Sequence, residues 1–119
     1  MQNNALKRMY ALGRLKAGQM NKTEAEFAEY LKQQEFTGAI VSFSFEAVKL
    51  RLANNTFYTP DFFAMNSDQT ITLYEVKGLW RDDARAKIKV AADKFPMFRF
   101  VAVQKQAKKH GGGWTFEEF

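Results

Sequence analysis

The chain has 119 residues, 46% of them hydrophobic, and no apolar run approaches the length of a bilayer span; this suits one packed domain and excludes fibrous, disordered and membrane-spanning classes. It contains no cysteine and one histidine, which rules out disulfides and thiolate metal sites and leaves His-rich zinc sites and Ser–His triads without support. The formal net charge of +5 and a pI near 9.5 favour a polyanionic partner, of which nucleic acid is the commonest, although many soluble domains are mildly basic.

Residues 1–20 read as a basic N-terminal arm ahead of a single domain spanning residues 21–119. From Met1 to Gln19 the arm holds Lys7, Arg8, Arg14 and Lys16 and no acid, with a weak helical stripe of Leu6, Met9, Tyr10 and Leu12. It reads equally as a segment that orders on DNA or on a second subunit and as a frayed terminus. The apolar stretch of a signal peptide is lacking, so a cytoplasmic location is expected.

The first clear helix is predicted from Asn21 to about Gln34. Asn21 is a good N-cap, Glu24 stands at the third helical position as in a capping box, and Phe27, Ala28 and Leu31 follow on one face. A β-rich region comes next. Ile40 to Phe45 is β-branched and aromatic, and Val48, Leu50 and Leu52 alternate with Lys49 and Arg51. Asn54-Asn55 reads as a turn, and a strand is predicted over about Phe57 to Met65, with Pro60 tolerated at an edge or a strand start. Asn66 to Gln69 is turn-like, and Thr70 to Lys77 is a strong strand. Asp82 and Asp83 are suited to start a second helix whose apolar face is Ala84, Ile88, Ala91, Ala92 and Phe95, stopped by Pro96. Phe98 to Val103 is a short apolar strand of central type. The tail is basic at Lys105, Lys108 and Lys109, and three glycines precede Trp114 to Phe119. This order gives an α/β (α+β) fold with a mixed central sheet flanked by helices.

Two acids and a lysine stand inside apolar strand sequence, at Asp61, Glu75 and Lys77. Side chains alternate along a strand, so Glu75 and Lys77 share a face. If Ser67-Asp68-Gln69 is a hairpin loop, Asn66 faces Thr70 and Asp61 falls opposite Glu75, with Cβ atoms ~5 Å apart. Two carboxylates at that spacing suit one divalent cation, and with no thiolate and little imidazole available the ligands would be oxygen, which points to Mg²⁺ or Mn²⁺. The expected metal ligands are Asp61 and Glu75, with the Val76 carbonyl and Glu24 as further candidates. Lys77 is expected to position a water or to stabilise charge on a phosphate. Each residue also has a plainer reading. Glu75 and Lys77 suit a solvent-facing strand, Asp61 a turn after Pro60, and Glu24 a helix-dipole contact. Glu26 competes with Glu24 as the helical acid. Glu24 is preferred because it shares a face with Phe27 and Leu31.

Pro60-Asp61 followed by Glu75-Val76-Lys77 resembles the bipartite motif of the PD-(D/E)XK nuclease superfamily, and Asn21-Lys22-Thr23-Glu24-Ala25 resembles its preceding acidic helix. The wider pattern of Tyr58-Thr59-Pro60-Asp61-Phe62, Glu75-Val76-Lys77-Gly78 and Gly112-Gly113-Trp114 is similar to small phage-encoded nuclease-like proteins. The resemblance covers about Asn21 to Trp114. It implies a restriction-endonuclease-like fold and Mg²⁺-dependent hydrolysis of DNA phosphodiesters, with Asp61, Glu75, Lys77 and Glu24 catalytic. Similarity in size and motif to archaeal Holliday junction resolvases makes branched DNA a substrate class to expect and a homodimer a possible state. A phage protein would act in the cytoplasm of a bacterial host.

Arg81, Arg85, Lys87 and Lys94 form a candidate DNA-binding flank, which reads nearly as well as a solvated helix face balanced by Asp82, Asp83 and Asp93. A non-catalytic nucleic-acid-binding module or an assembly subunit on the same fold is the alternative function.

Overall fold

The computed structural model of the protein describes residues 18–78 and 82–119, so residues 1–17 of the basic arm, together with Leu79, Trp80 and Arg81, lie outside the described residues. Helix α1 (Lys22–Thr37) begins where the sequence supplies its own cap. The Asn21 side chain accepts from the Glu24 amide and the Glu24 carboxylate accepts from the Asn21 amide, both at 2.8 Å. The helix runs three residues past the expected Gln34 and ends on Gly38, whose left-handed backbone (φ 87°) lets its N–H close on the carbonyls of Gln34 and Glu35.

Seven strands follow: β1 (Ile40–Phe45), β2 (Leu50–Ala53), β3 (Thr56–Tyr58), β4 (Phe62–Asn66), β5 (Ile71–Lys77), β6 (Arg99–Lys105) and β7 (Trp114–Glu118). Helix α2 (Asp82–Lys94) joins β5 to β6. Five strands make one mixed sheet in the order β1-β4-β5-β6-β7, and β2 with β3 makes a separate two-stranded sheet. Pairing in the large sheet is antiparallel except between β5 and β6, where α2 supplies the crossover that a parallel pair requires.

The strand expected over Phe57 to Met65 is two strands in different sheets. Tyr58 ends β3 and Phe62 starts β4, with Thr59-Pro60-Asp61 between them. Pro60 has no N–H to give a ladder and is fully buried, so pairing stops there and the chain crosses from one sheet to the other. The tail, by contrast, is a formed edge strand, β7, antiparallel to β6.

Alternation sorts the side chains onto two faces. Phe27, Ala28 and Leu31 of α1 pack with Phe62, Ala64, Val101 and Val103. Leu73 and Phe100 face the other way and pack with Ile88 and Ala91 of α2 and with Leu50, Leu52 and Tyr58 of the hairpin. Phe27 is completely buried and its ring meets those of Tyr30, Phe62, Tyr74 and Trp114, with centroids 5.1 to 5.7 Å away. The architecture is a five-stranded mixed sheet with a helix on each face. Among the described residues no helix is long and apolar enough to cross a membrane.

Candidate active site

The geometry of the site depends on the β4–β5 turn. β4 and β5 pair with Phe62 opposite Tyr74, Phe63 opposite Leu73, Ala64 opposite Thr72 and Met65 opposite Ile71. The connection is the three-residue loop Ser67-Asp68-Gln69, with Gln69 in the left-handed region at φ 72°. Three-residue hairpins commonly end on a left-handed residue of this kind. Asn66 fixes the register: its amide donates to the Thr70 carbonyl, and its side chain donates to the hydroxyls of Thr70 (3.0 Å) and buried Thr72 (2.9 Å). Asp68 accepts from both the backbone and the hydroxyl of Thr70. The paired ladder ends at Phe62 and Tyr74; Asp61 and Glu75 are the next residue along each chain, Asp61 in the bend ahead of β4.

Asp61, Glu75 and Lys77 are all half-buried, on the face shared with α2 and the hairpin. Lys77 Nζ lies 2.8 Å from Glu75 Oε1. The other oxygen, Oε2, accepts from the Tyr58 hydroxyl at 2.9 Å. Asp61 Oδ2 accepts from the Val76 amide at 2.7 Å, a bond that ties the start of β4 to the end of β5. Burial pushes the Asp61 carboxyl up to about 8; the Glu75 and Glu24 carboxylates push in the same direction, against the pull of the Val76 N–H. Burial and Glu75 likewise raise the Tyr58 phenol above its ordinary value, so it stays a neutral donor.

Glu24 reaches this cluster from α1. It caps the helix and also stands near enough to Asp61 to share a hydrogen bond with it. Glu26 is engaged elsewhere, in an ion pair with Lys105. Of the two acids, Glu24 is the one beside Asp61.

The described side chains present three carboxyls and one ammonium at one end of the sheet. The carboxyls are hard oxygen donors, the kind of ligand that Mg²⁺ takes. Among the described residues no three acidic or histidine side chains are drawn together as a ready cage. Asp61 and Glu75 are the carboxylate pair available for a cation, with the Val76 carbonyl between Glu75 and Lys77 and Glu24 adjoining.

The expected flank divides. Lys87 is exposed on α2. Arg85 instead makes a two-pronged bond to Glu117 of β7, with N···O distances of 2.7 to 3.0 Å, and lies over the Phe119 ring. Lys94 Nζ donates to the Leu52 carbonyl at 2.7 Å and so fastens α2 to β2. Both cations are engaged within the fold, Arg85 with β7 and Lys94 with β2. Arg81 lies outside the described residues.

Two participants escaped the sequence reading. Tyr58 enters the sequence pattern only as the first residue of Tyr58-Thr59-Pro60-Asp61-Phe62, and nothing local announces its bond to a residue 17 positions away. Gln104 sits opposite Lys77 in the parallel ladder and donates from Nε2 to the Gly78 carbonyl at 2.8 Å, holding the backbone that follows the site. A polar side chain in the apolar run of β6 was its one signal. Compared with known proteins, the chain matches no family model, and no curated protein or solved structure is found to match it.

Proposed function

We propose that the protein is a divalent-metal-dependent DNA endonuclease with a restriction-endonuclease-like fold. The observation that carries this reading is the gathering of Asp61, Glu75 and Lys77 where β4 starts and β5 ends, with Lys77 paired to Glu75 and Asp61 bonded to the Val76 amide. That arrangement follows from the β4–β5 register and coincides with the motif order that resembles the PD-(D/E)XK superfamily.

In this reading Asp61 and Glu75 would hold Mg²⁺ or Mn²⁺, with the Val76 carbonyl and Glu24 as further oxygen donors. Such a cation would supply Lewis acidity to a phosphodiester and acidify a water. Asp61 would serve as a ligand in its deprotonated form. The Lys77 ammonium would stabilise charge on a phosphate oxygen or position the attacking water. Tyr58 keeps hold of Glu75 Oε2 and so orients the carboxylate throughout. Lys87 and the net positive charge of the chain draw the DNA in.

The test is cleavage of labelled four-way junction, flap, duplex and single-stranded DNA in Mg²⁺, in Mn²⁺ and in chelator, with Lys77→Ala beside wild type. Metal-dependent cutting that disappears in Lys77→Ala is expected. Absence of cutting on every substrate by a well-folded sample would sink the reading in favour of a binding module.

A further inference from the structure

The β2–β3 hairpin has two faces of different character. Leu50, Leu52 and Tyr58 point inward and are buried against Leu73, Ile88 and Phe100. Lys49, Arg51 and Phe57 are on the outside, all exposed, and no acidic residue occurs from Ala47 to Tyr58. Lys49 Nζ lies 4.6 Å from the centre of the Phe57 ring, and Arg51 is directly across the ladder from Phe57. Phe57 leaves 41% of its surface in water, a cost that nothing in the packing of the hairpin requires.

This cluster is on the outer face of the hairpin, and the chain runs on from Phe57 through Tyr58 to Asp61. The ladder ends with Leu50 opposite Tyr58; Lys49 directly precedes Leu50, and Thr59-Pro60-Asp61 follow Tyr58. Phe57 directly precedes Tyr58, whose hydroxyl touches Glu75. The far end of the hairpin, the turn at Asn54 and Asn55, carries no charge.

An exposed ring between two cations matches the repeat of a nucleic-acid strand, in which a flat base is flanked by two phosphates. Such a ring stacks on a base, and the cations bind the phosphates. In a duplex the base faces are already stacked on one another, so a surface ring gains a partner where a base is unpaired. We propose that the outer face of the β2–β3 hairpin, made by Lys49, Arg51 and Phe57, binds an unpaired stretch of DNA beside the phosphate to be cut, so that the substrate is DNA with a single-stranded region. This deepens the endonuclease reading and rests on it for the cutting step, though not for the binding.

The test is fluorescence anisotropy in chelator, where nothing is cut, with a labelled thymidine oligonucleotide and a blunt duplex of equal length. Wild type is compared with Phe57→Ala, Phe57→Trp and the pair Lys49→Gln/Arg51→Gln, each with an unchanged melting curve. Phe57→Ala is expected to weaken single-strand binding by about tenfold and duplex binding by less than about twofold, with Phe57→Trp restoring it. The Lys/Arg pair is expected to flatten the salt dependence of single-strand affinity by a log–log slope of about 1.4. Wild type that prefers duplex, single-strand affinity indifferent to Phe57→Ala, or equal competition by polyglutamate would each overturn the assignment. The two readings fail separately: the expected binding pattern without cleavage of any substrate removes the nuclease and leaves the hairpin surface, whereas cleavage with Phe57-independent binding does the reverse.

Discussion

The hydroxyl of Tyr58 donates to Glu75 Oε2 across 2.9 Å, joining the small hairpin sheet to the carboxylate at the centre of the large one. Lys77 holds the other oxygen, so Glu75 is restrained from both sides. Tyr58→Phe removes one donor and no volume. It is expected to cost about 1–2 kcal/mol in stability and to weaken Mn²⁺ binding by about 10- to 100-fold, since partners of this kind orient metal ligands. Manganese titration beside thermal unfolding checks this. Unchanged metal affinity would leave Tyr58 a packing residue.

Asp61 makes stability fall with pH. Its carboxyl is raised in the fold from 3.8 to about 8, so between those values the folded state holds a proton that the unfolded chain has released. Stability from this group is therefore complete below about pH 4 and is lost progressively toward pH 8. Asp61→Asn is expected to match wild type near pH 4 and to melt higher at pH 8, by ~5 °C for each kcal/mol recovered. Mg²⁺ is expected to stabilise wild type more at pH 8 than at pH 5, and to release a proton on binding at neutral pH. Melting curves across this range, with and without Mg²⁺, decide the matter; a wild-type profile that is flat or rises with pH contradicts it.

Arg85 and Lys87 are two residues apart on α2 and are expected to behave differently. Arg85 is bound to Glu117, and a partly exposed pair of this kind contributes about 0.5–1 kcal/mol. Arg85→Ala should lower the melting temperature slightly and leave DNA affinity unchanged. Lys87→Ala should leave the melting temperature alone, weaken DNA binding, and reduce the salt slope by about one. A salt titration of both variants compares them, and loss of DNA affinity in Arg85→Ala would return that residue to the interface.

Asn66 is the residue on which the site's register depends. Asn66→Ala removes both side-chain bonds and leaves the buried Thr72 hydroxyl without its donor, at a cost of about 1–3 kcal/mol. Cleavage should fall as well, because Asp61 meets Glu75 only in this register. Full activity in a destabilised Asn66→Ala protein would show that the strands stay aligned without it.

Local signals in the sequence determined much of what is observed. Asn21 and Glu24 announce their own helix start, alternation marks β2, and the length of the Asn66 to Thr70 turn gives the β4–β5 register as far as Phe62 and Tyr74. Pro60 reads as tolerable at a strand edge or start, so neither the break nor the change of sheet was legible, because local sequence does not specify which strand a segment will pair with. The fates of Arg85 and Lys94 were hidden for the same reason. Glu117 is 32 residues from Arg85 and Leu52 is 42 from Lys94, and a cation facing a distant partner reads locally like one facing solvent. Tyr58 belongs with them, an inward tyrosine whose partner only the assembled sheets provide.

The Glu46 amide donates to the Asp61 carbonyl at 2.8 Å, and just beyond it Phe45 pairs with Phe62. The chain thus leaves the large sheet and returns to it at a single point, and everything between forms a loop closed at its base. A closed excursion can change in length at its tip without moving the strands it springs from, since lengthening a flexible loop adds only slowly to its entropic cost. The hairpin is in this sense an exchangeable cassette. Residues grafted at the Asn54–Asn55 turn would lengthen the hairpin beyond Lys49, Arg51 and Phe57 while Asp61, Glu75 and Lys77 keep their places, which makes that turn the point at which to add new contacts.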